Sequence, residues 1–428
     1  MFQVLSSMWR EAEIRKKVIF TLAMLVIFRI GTFIPVPDIN TQLINISDNS
    51  AFGLFNTFGG GALQNFSILS MGVMPYITAS IIVQLLQMDV VPKLTEWSKQ
   101  GEMGRRKLNQ LTRYGTIILG FIEAIGLSYS FNSRFQGLVS NPSIWTFFVI
   151  ALMLTSGTAF LVWLGDQITA YGVGNGISIL IFAGIVARIP TAINQIYAQR
   201  FSGAANTFME VLGVLAIVVV ILLIVVGTIF VQQAMRKIPI QYAKRTIGTK
   251  TYSVEPAHLP IKVNAAGVIP VIFAISLMIT PPTIAQFFHQ NAVTNWIVKI
   301  FNYSTVYGMI IYAALIIAFT YFYTFVQVNP EKMAKNLGEQ GGYIPGIRPG
   351  KNTEKYITKV LYRLTFLGAI FLAIISLLPI VFGQLGGLPS SAQIGGTSLL
   401  IVVGVALDTM KRIESQLVKK NYQGFIKR

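Results

Sequence analysis

Apolar stretches of about twenty residues recur from one end of this chain to the other, at 18–34, 73–88, 111–131, 145–164, 176–193, 211–231, 265–288, 306–328, 360–382 and 397–410. Most are long enough to cross ~30 Å of hydrocarbon at 1.5 Å per residue, and too uniformly apolar for amphipathic surface helices. With 53% hydrophobic and only 12% charged residues, the 428-residue chain holds far more apolar side chain than one soluble core needs. The first run follows a segment of mixed acidic and basic residues and lacks a small-residue cleavage site after it, so it reads as a retained helix and not a signal peptide.

Ten spans place both termini on one side of the bilayer, and the basic residues give an independent check. The formal net charge is +18, yet all but five of the 34 Lys and Arg fall at the termini or in the even-numbered loops. The five exceptions are Arg29, Arg134, Arg188, Arg200 and Lys299. Under the positive-inside rule that side is cytoplasmic, which predicts a multi-pass membrane protein with both termini and the long loops inside. Clustering of this kind argues against a nucleic-acid-binding surface as the source of the charge.

Two cytoplasmic loops, 232–262 and 329–359, are too long to be simple connections and are polar, basic and punctuated by Pro and Gly. They predict a docking surface. The spans divide into five and five, 1–193 and 194–428, and an odd number per half requires the second half to be inverted relative to the first. Inverted halves commonly place a conduit at their interface. The expected fold is therefore an all-α polytopic membrane protein of ten transmembrane helices in two inverted five-helix halves.

Between the first two spans the chain is apolar but interrupted by Gly59, Gly60 and Gly61, with Pro75 marking the next helix start. Irregular backbone at membrane depth survives only where protein covers it or water reaches it, so a short half-helix entering the bundle from outside is expected. An interfacial loop helix is the alternative.

Several long motifs occur in order: Gly72-Val-Met-Pro-Tyr-Ile-Thr-Ala-Ser-Ile-Ile, Gly101-Glu-Met-Gly-Arg-Arg-Lys, Gly172-Val-Gly-Asn-Gly-Ile-Ser, Tyr242-Ala-Lys-Arg, His258-Leu-Pro-Ile-Lys-Val-Asn, Gly267-Val-Ile-Pro, Gly341-Gly-Tyr-Ile-Pro-Gly-Ile-Arg-Pro-Gly and Gly395-Gly-Thr-Ser-Leu-Leu-Ile. With them the chain resembles the SecY/Sec61α translocon family over essentially its whole length. The resemblance implies a protein-conducting channel that moves unfolded polypeptides across the membrane or releases transmembrane segments sideways into it, with an hourglass pore between the halves.

Carried across motif by motif, the resemblance implies an aliphatic pore ring of Val73, Ile77, Ile177, Ile181, Ile272 and Ile401. A narrow apolar ring dewets and blocks ions, yet offers no hydrogen-bonding group to grip a passing chain. Val73 stands where the family more often has isoleucine, one methylene less. The resemblance also implies a re-entrant plug helix near 55–67, including Phe55, Phe58, Gly59, Gly60, Gly61 and Leu63, and a lateral gate between spans two and three and spans seven and eight. Thr78, Ser80, Gln84 and Thr280 are the polar candidates for that gate. For motor or ribosome docking the loops offer Arg348, Lys244, Arg245 and Lys250, Arg348 being framed by Gly and Pro. Implied partners are the small membrane subunits SecE and SecG, the SecA ATPase, the ribosome, an unfolded preprotein with its signal sequence, and membrane lipids. No cofactor is implied.

Blander readings stand beside these: aliphatics that merely pack helices, a static re-entrant cap, polar residues that glue spans together, and loop lysines drawn to anionic lipid. Two intramembrane charges, Arg29 and Glu123, lie at similar depth by helix rise, and an ion pair between them is expected, with outward snorkelling of Arg29 as the alternative.

An enzyme fits poorly. The chain lacks Cys, its two histidines, His258 and His289, lie outside the middle of any span, and HExxH, GxSxG and nucleotide-binding patterns are missing. A secondary solute transporter with inverted repeats is the stronger rival, though Arg29 and Glu123 are its only candidates for coupling charges.

Overall fold

The computed structural model describes residues 9–44, 56, 59–88, 90–135, 137–201, 207–242, 246–247, 250–251, 257–285, 291–302, 305–385 and 395–426. Each of the ten apolar segments coincides with a helix: α1 (Ala12–Gly31), α2 (Met74–Leu86), α4 (Gly101–Arg134), α5 (Ile144–Tyr171), α6 (Gly176–Phe201), α7 (Thr207–Gln233), α8 (Ile269–Ala285), α10 (Val306–Gln327), α12 (Lys351–Leu385) and α13 (Gly395–Ile426). Short α3 (Pro92–Lys99), α9 (Ala292–Ile300) and α11 (Pro330–Glu339) lie between them. Six described helices are long and apolar enough to cross a membrane, and Met74–Leu86 and Ile269–Pro282 are shorter apolar helices.

The helix starts follow from local chemistry. Proline stands in the first turn of α2, α3 and α11, where its fixed φ suits the helix and its missing N–H costs nothing. Thr305 Oγ1 accepts from the Gly308 N–H at 3.1 Å to open α10, and Asn329 Oδ1 accepts from Lys332 N–H at 3.1 Å to open α11. The turn Gly172–Asn175 ahead of α6 is tied down at both ends. Thr21 Oγ1 on α1 accepts from Val173 N–H at 3.1 Å, and Thr169 Oγ1 accepts from Gly176 N–H at 2.8 Å.

One large apolar cluster runs through the bundle and draws on α1, α2, α4, α5, α6, α8, α10, α12 and α13, with Ile224 its one buried member from α7. The surface of α7, by contrast, exposes Leu212, Leu215, Leu222, Leu223 and Phe230, as a lipid-facing helix must.

The two long loops depart from the all-α expectation. β1 (Met235–Tyr242) pairs antiparallel with β4 (Ala257–Lys262), Met235 opposite Lys262 and Ile240 opposite Ala257. Its far end pairs with β5 (Gly342–Tyr343) of the second loop, Gln241 opposite Tyr343. A second, two-stranded ribbon joins β2 (Thr246–Ile247) to β3 (Lys250–Thr251). Alternation along β1 puts Ile238 and Ile240 on one face, where they pack with Ile261, Ala334, Leu337, Ile344, Ile357 and Leu361 in a cluster separate from that of the bundle. The loops thus form one small body with its own core, mounted on the first turns of α12.

Candidate functional site

The first five long helices and the last five meet along two seams. On one, α2 and α4 pack against α8; on the other, α6 packs against α13. All six predicted ring residues sit on these seam helices or at their first residues: Val73 at the N-cap of α2, Ile77 on α2, Ile177 and Ile181 on α6, Ile272 on α8 and Ile401 on α13. Five are buried, from Ile401 at 0% to Ile272 at 8%, and Ile177 is half-buried against the same cluster. Branched aliphatics from four helices of both halves therefore belong to, or pack against, one apolar cluster.

The interrupted segment contributes Ala62, Leu63, Phe66, Leu69 and Met71 to the same cluster. From Gly59 to Val73 it is a succession of turns. Phe55 and Phe58 lie outside the described residues. Gly60 has φ +68°, a conformation that a side chain would strain, and a Cβ there would lie 3.1 Å from Gly184 Cα of α6. Ala62, Leu63 and Phe66 are fully buried. The root of the segment is tied to the chain leaving α1: Ile68 N–H donates to Ile34 O and Val36 N–H to Phe66 O, each at 3.0 Å. Gly157 of α5 packs so closely on the Ile68 carbonyl that any Cβ would collide with it.

At the seam between α2 and α8, the hydroxyls of Thr78 and Ser276 lie 3.0 Å apart. Thr280 Oγ1 donates to Ser276 O one turn back at 2.8 Å. Beside them is a cavity of about 190 Å³ lined by Met74, Thr78, Ile82, Glu123, Ser276 and Thr280 among others. Of the predicted gate residues, Thr78 and Thr280 meet here. Ser80 and Gln84 instead bond each other along α2, Gln84 Nε2 to Ser80 Oγ at 3.1 Å. Ser276, which completes the contact, was not picked out from the sequence, although its spacing of four from Thr280 puts both on one helix face.

The expected pair between Arg29 and Glu123 does not form. Arg29 donates from Nη1 to the Gly60 carbonyl at 2.7 Å and stacks over the Phe33 ring, 4.6 Å from its centroid. Glu123 lines the seam cavity. The reason is lateral: α1 packs chiefly on α5 and α6, whereas Glu123 belongs to α4, so equal depth did not mean adjacency. Snorkelling fails too, because the guanidinium turns inward.

Among the docking candidates, Arg348 is exposed in a turn between β5 and α12, where its carbonyl accepts from Thr353 Oγ1 at 3.1 Å. Lys250 stands in β3; Lys244 and Arg245 lie outside the described residues.

Apolar helices in two sets, sharing one aliphatic cluster and joined at one seam by the Thr78–Ser276 hydroxyl contact, define a polytopic membrane protein. The fold agrees with that of a solved protein-conducting channel (TM-score 0.62, 19% identity, 95% of this chain and 93% of the other). It also agrees with the canine Sec61 in a ribosome–channel complex from the endoplasmic reticulum (TM-score 0.61, 17% identity, 95% and 93% covered). The SecY family model matches residues 67–410. Protein translocase subunit SecY of Bacillus licheniformis is 64% identical over 100% of both chains, that of Bacillus subtilis 62% over 100% of both, and that of Staphylococcus carnosus 55% over 99% of both. The chain belongs to the SecY family. It is a subunit of a protein translocase, a channel component and not an enzyme.

Proposed function

We propose that unfolded polypeptides pass between the two halves of this chain in a bacterial plasma membrane, with ten spans, an inverted second half and both termini in the cytoplasm. The observation that supports this reading is that Val73, Ile77, Ile181, Ile272 and Ile401 bring branched aliphatics from four helices of both halves into one apolar cluster, against which Ile177 packs. Aliphatic side chains without hydrogen-bonding groups seal by excluding water and yield to a chain of any sequence. The turns from Gly59 to Ser67 act as the plug. Polypeptides leave sideways by parting of α2 and α4 from α8 and α10, where Thr78–Ser276 is the polar contact that must break.

The small cytoplasmic body carries the docking surface for the SecA motor and for the ribosome, with Arg348 exposed at its tip. The relative in the canine complex is a ribosome channel, which supports the second partner. SecE and SecG, the small membrane subunits, would cover part of the exposed apolar surface.

The test is crosslinking from single photoreactive residues at Ile77, Ile181 and Ile272 to a preprotein stalled in membranes with the motor and ATP. Adducts at all three, with silent controls at Leu215 and Leu222, are expected. If the substrate stalls and none of the three reacts, the central-pore reading fails and solute uptake returns as the alternative.

A further inference from the structure

The described turn segment is held at two places by different means. At its root, backbone hydrogen bonds from Ile68 and Val36 join it to residues 34–36, Asn65 Nδ2 reaches Thr32 O at 3.3 Å, and Gly157 presses on Ile68. At its tip, Gly60 sits between two helices. Its Cα faces Gly184 of α6, and its carbonyl accepts from Arg29 of α1. Arg29 is a charge within an apolar helix, and among the described ion pairs none includes it. Among the described residues its guanidinium meets that carbonyl and the face of Phe33 one turn on.

From this we infer that Arg29 is a positioning residue for translocation: a latch that holds the tip of the plug closed, while the root at Ser67 serves as its hinge. The inference rests on reading the segment as a plug. A charge-assisted hydrogen bond to a backbone carbonyl suits a latch, because it is strong in a dry site and is readily exchanged for water once the site is wetted. A cation in the membrane must always have an acceptor. While the conduit is dry, Gly60 O is that acceptor, so the tip cannot leave. When an entering chain brings water, the guanidinium is satisfied without it. Phe33 keeps Arg29 turned toward the tip through cation–π attraction. Because the acceptor is backbone, replacing side chains within the plug leaves this bond in place; only changes at Arg29 or its support reach it.

The chain contains no cysteine, so one introduced thiol reports on one place. Ala62, next to the tip and fully buried, is changed to Cys, and Ala369 on α12, equally buried, is changed separately as the control. Both are labelled from outside in whole cells with a membrane-impermeant maleimide. We expect Arg29→Gln to speed labelling at position 62 about tenfold or more, the change set by loss of one charged hydrogen bond, and to leave position 369 silent. Phe33→Leu gives a smaller rise and stands in if Arg29→Gln fails to accumulate. Labelling at position 62 unchanged by Arg29→Gln, or by Phe33→Leu in its place, overturns the latch. So does equal exposure of position 369, which means general loosening. A preprotein stalled in the unsubstituted channel separates the two ideas: if it exposes position 62 and Arg29→Gln does not, the plug stands and the latch falls. If it exposes nothing, the plug reading fails and takes the latch with it.

Discussion

Thr78 and Ser276 show how little holds the seam between α2 and α8. Their hydroxyls lie 3.0 Å apart while Thr78 Oγ1 also donates to Met74 O along its own helix at 3.2 Å, and a hydrogen bond between membrane helices is worth about 0.6 kcal/mol. That is large enough to bias a gate and small enough to break in use. Thr78→Val and Ser276→Ala are each expected to raise the open fraction about threefold, read as resting ion conductance of the reconstituted complex. Because the two groups share one bond, the double variant should open no more than either single one; additive effects would show that the hydroxyls act separately. That the ring aliphatics lie on helices where the halves meet was legible from motif and residue type together. Ser276 and the partner of Arg29 were not, since they depend on the azimuth of a side chain around its helix, and sequence reports chiefly depth.

Helices α5 and α6 touch backbone to backbone, with Gly176 directly on the Gly165 carbonyl. Small residues permit such approach in membranes, where packing, not the hydrophobic effect, drives helix association. Gly176→Ala has no room and no flexible neighbour to yield. Its helix must move as a unit, carrying Ile177 and Ile181 away from the ring. A fall of several degrees in the Tm of the purified complex is expected, together with a rise in ion leak; Gly267→Ala, with open space around the added methyl, tests whether any glycine replacement does the same. That control has its own backbone penalty, because Gly267 has φ +66°, so a drop in Tm without leak is its expected signature. The helix positions themselves were plain from the apolar runs. The sheet was not. β1 and β5 lie a hundred residues apart, and the pairing of Gln241 with Tyr343 leaves no mark on the local pattern of either loop. Two residues of strand and a proline-broken β4 are too short for alternation to stand out.

Among the described residues the molecule has two main cores, beside two small clusters around Ile14 and around Leu94. The cytoplasmic body is built around Ile238, Ile240, Ile261, Leu337 and Ile357 and shares α12 with the membrane bundle. Leu337→Asp puts a charge where only 7% of the residue is exposed, a change expected to cost several kcal/mol in that body. The loops 232–262 and 329–359 should become open to protease while the membrane helices keep their resistance. Protection of the loops, or loss of both regions together, would show that the two cores are one. A force applied to this body acts on α12 and β4 directly, and β4 leads into α8, the helix that packs on α2 and α4.

The amino-acid sequence was sufficient for the membrane and for where the apolar helices lie, because those follow from the length and polarity of continuous segments in a solvent that cannot hydrogen-bond to backbone. Its motifs were sufficient for the family. Which polar groups meet across a seam, that Arg29 turns inward to Gly60 and away from Glu123, and that two distant loops make one sheet were settled only in three dimensions. Those contacts depend on how helices are rotated and which of them are neighbours, and rotation and neighbourhood are set by the packing of all the helices at once.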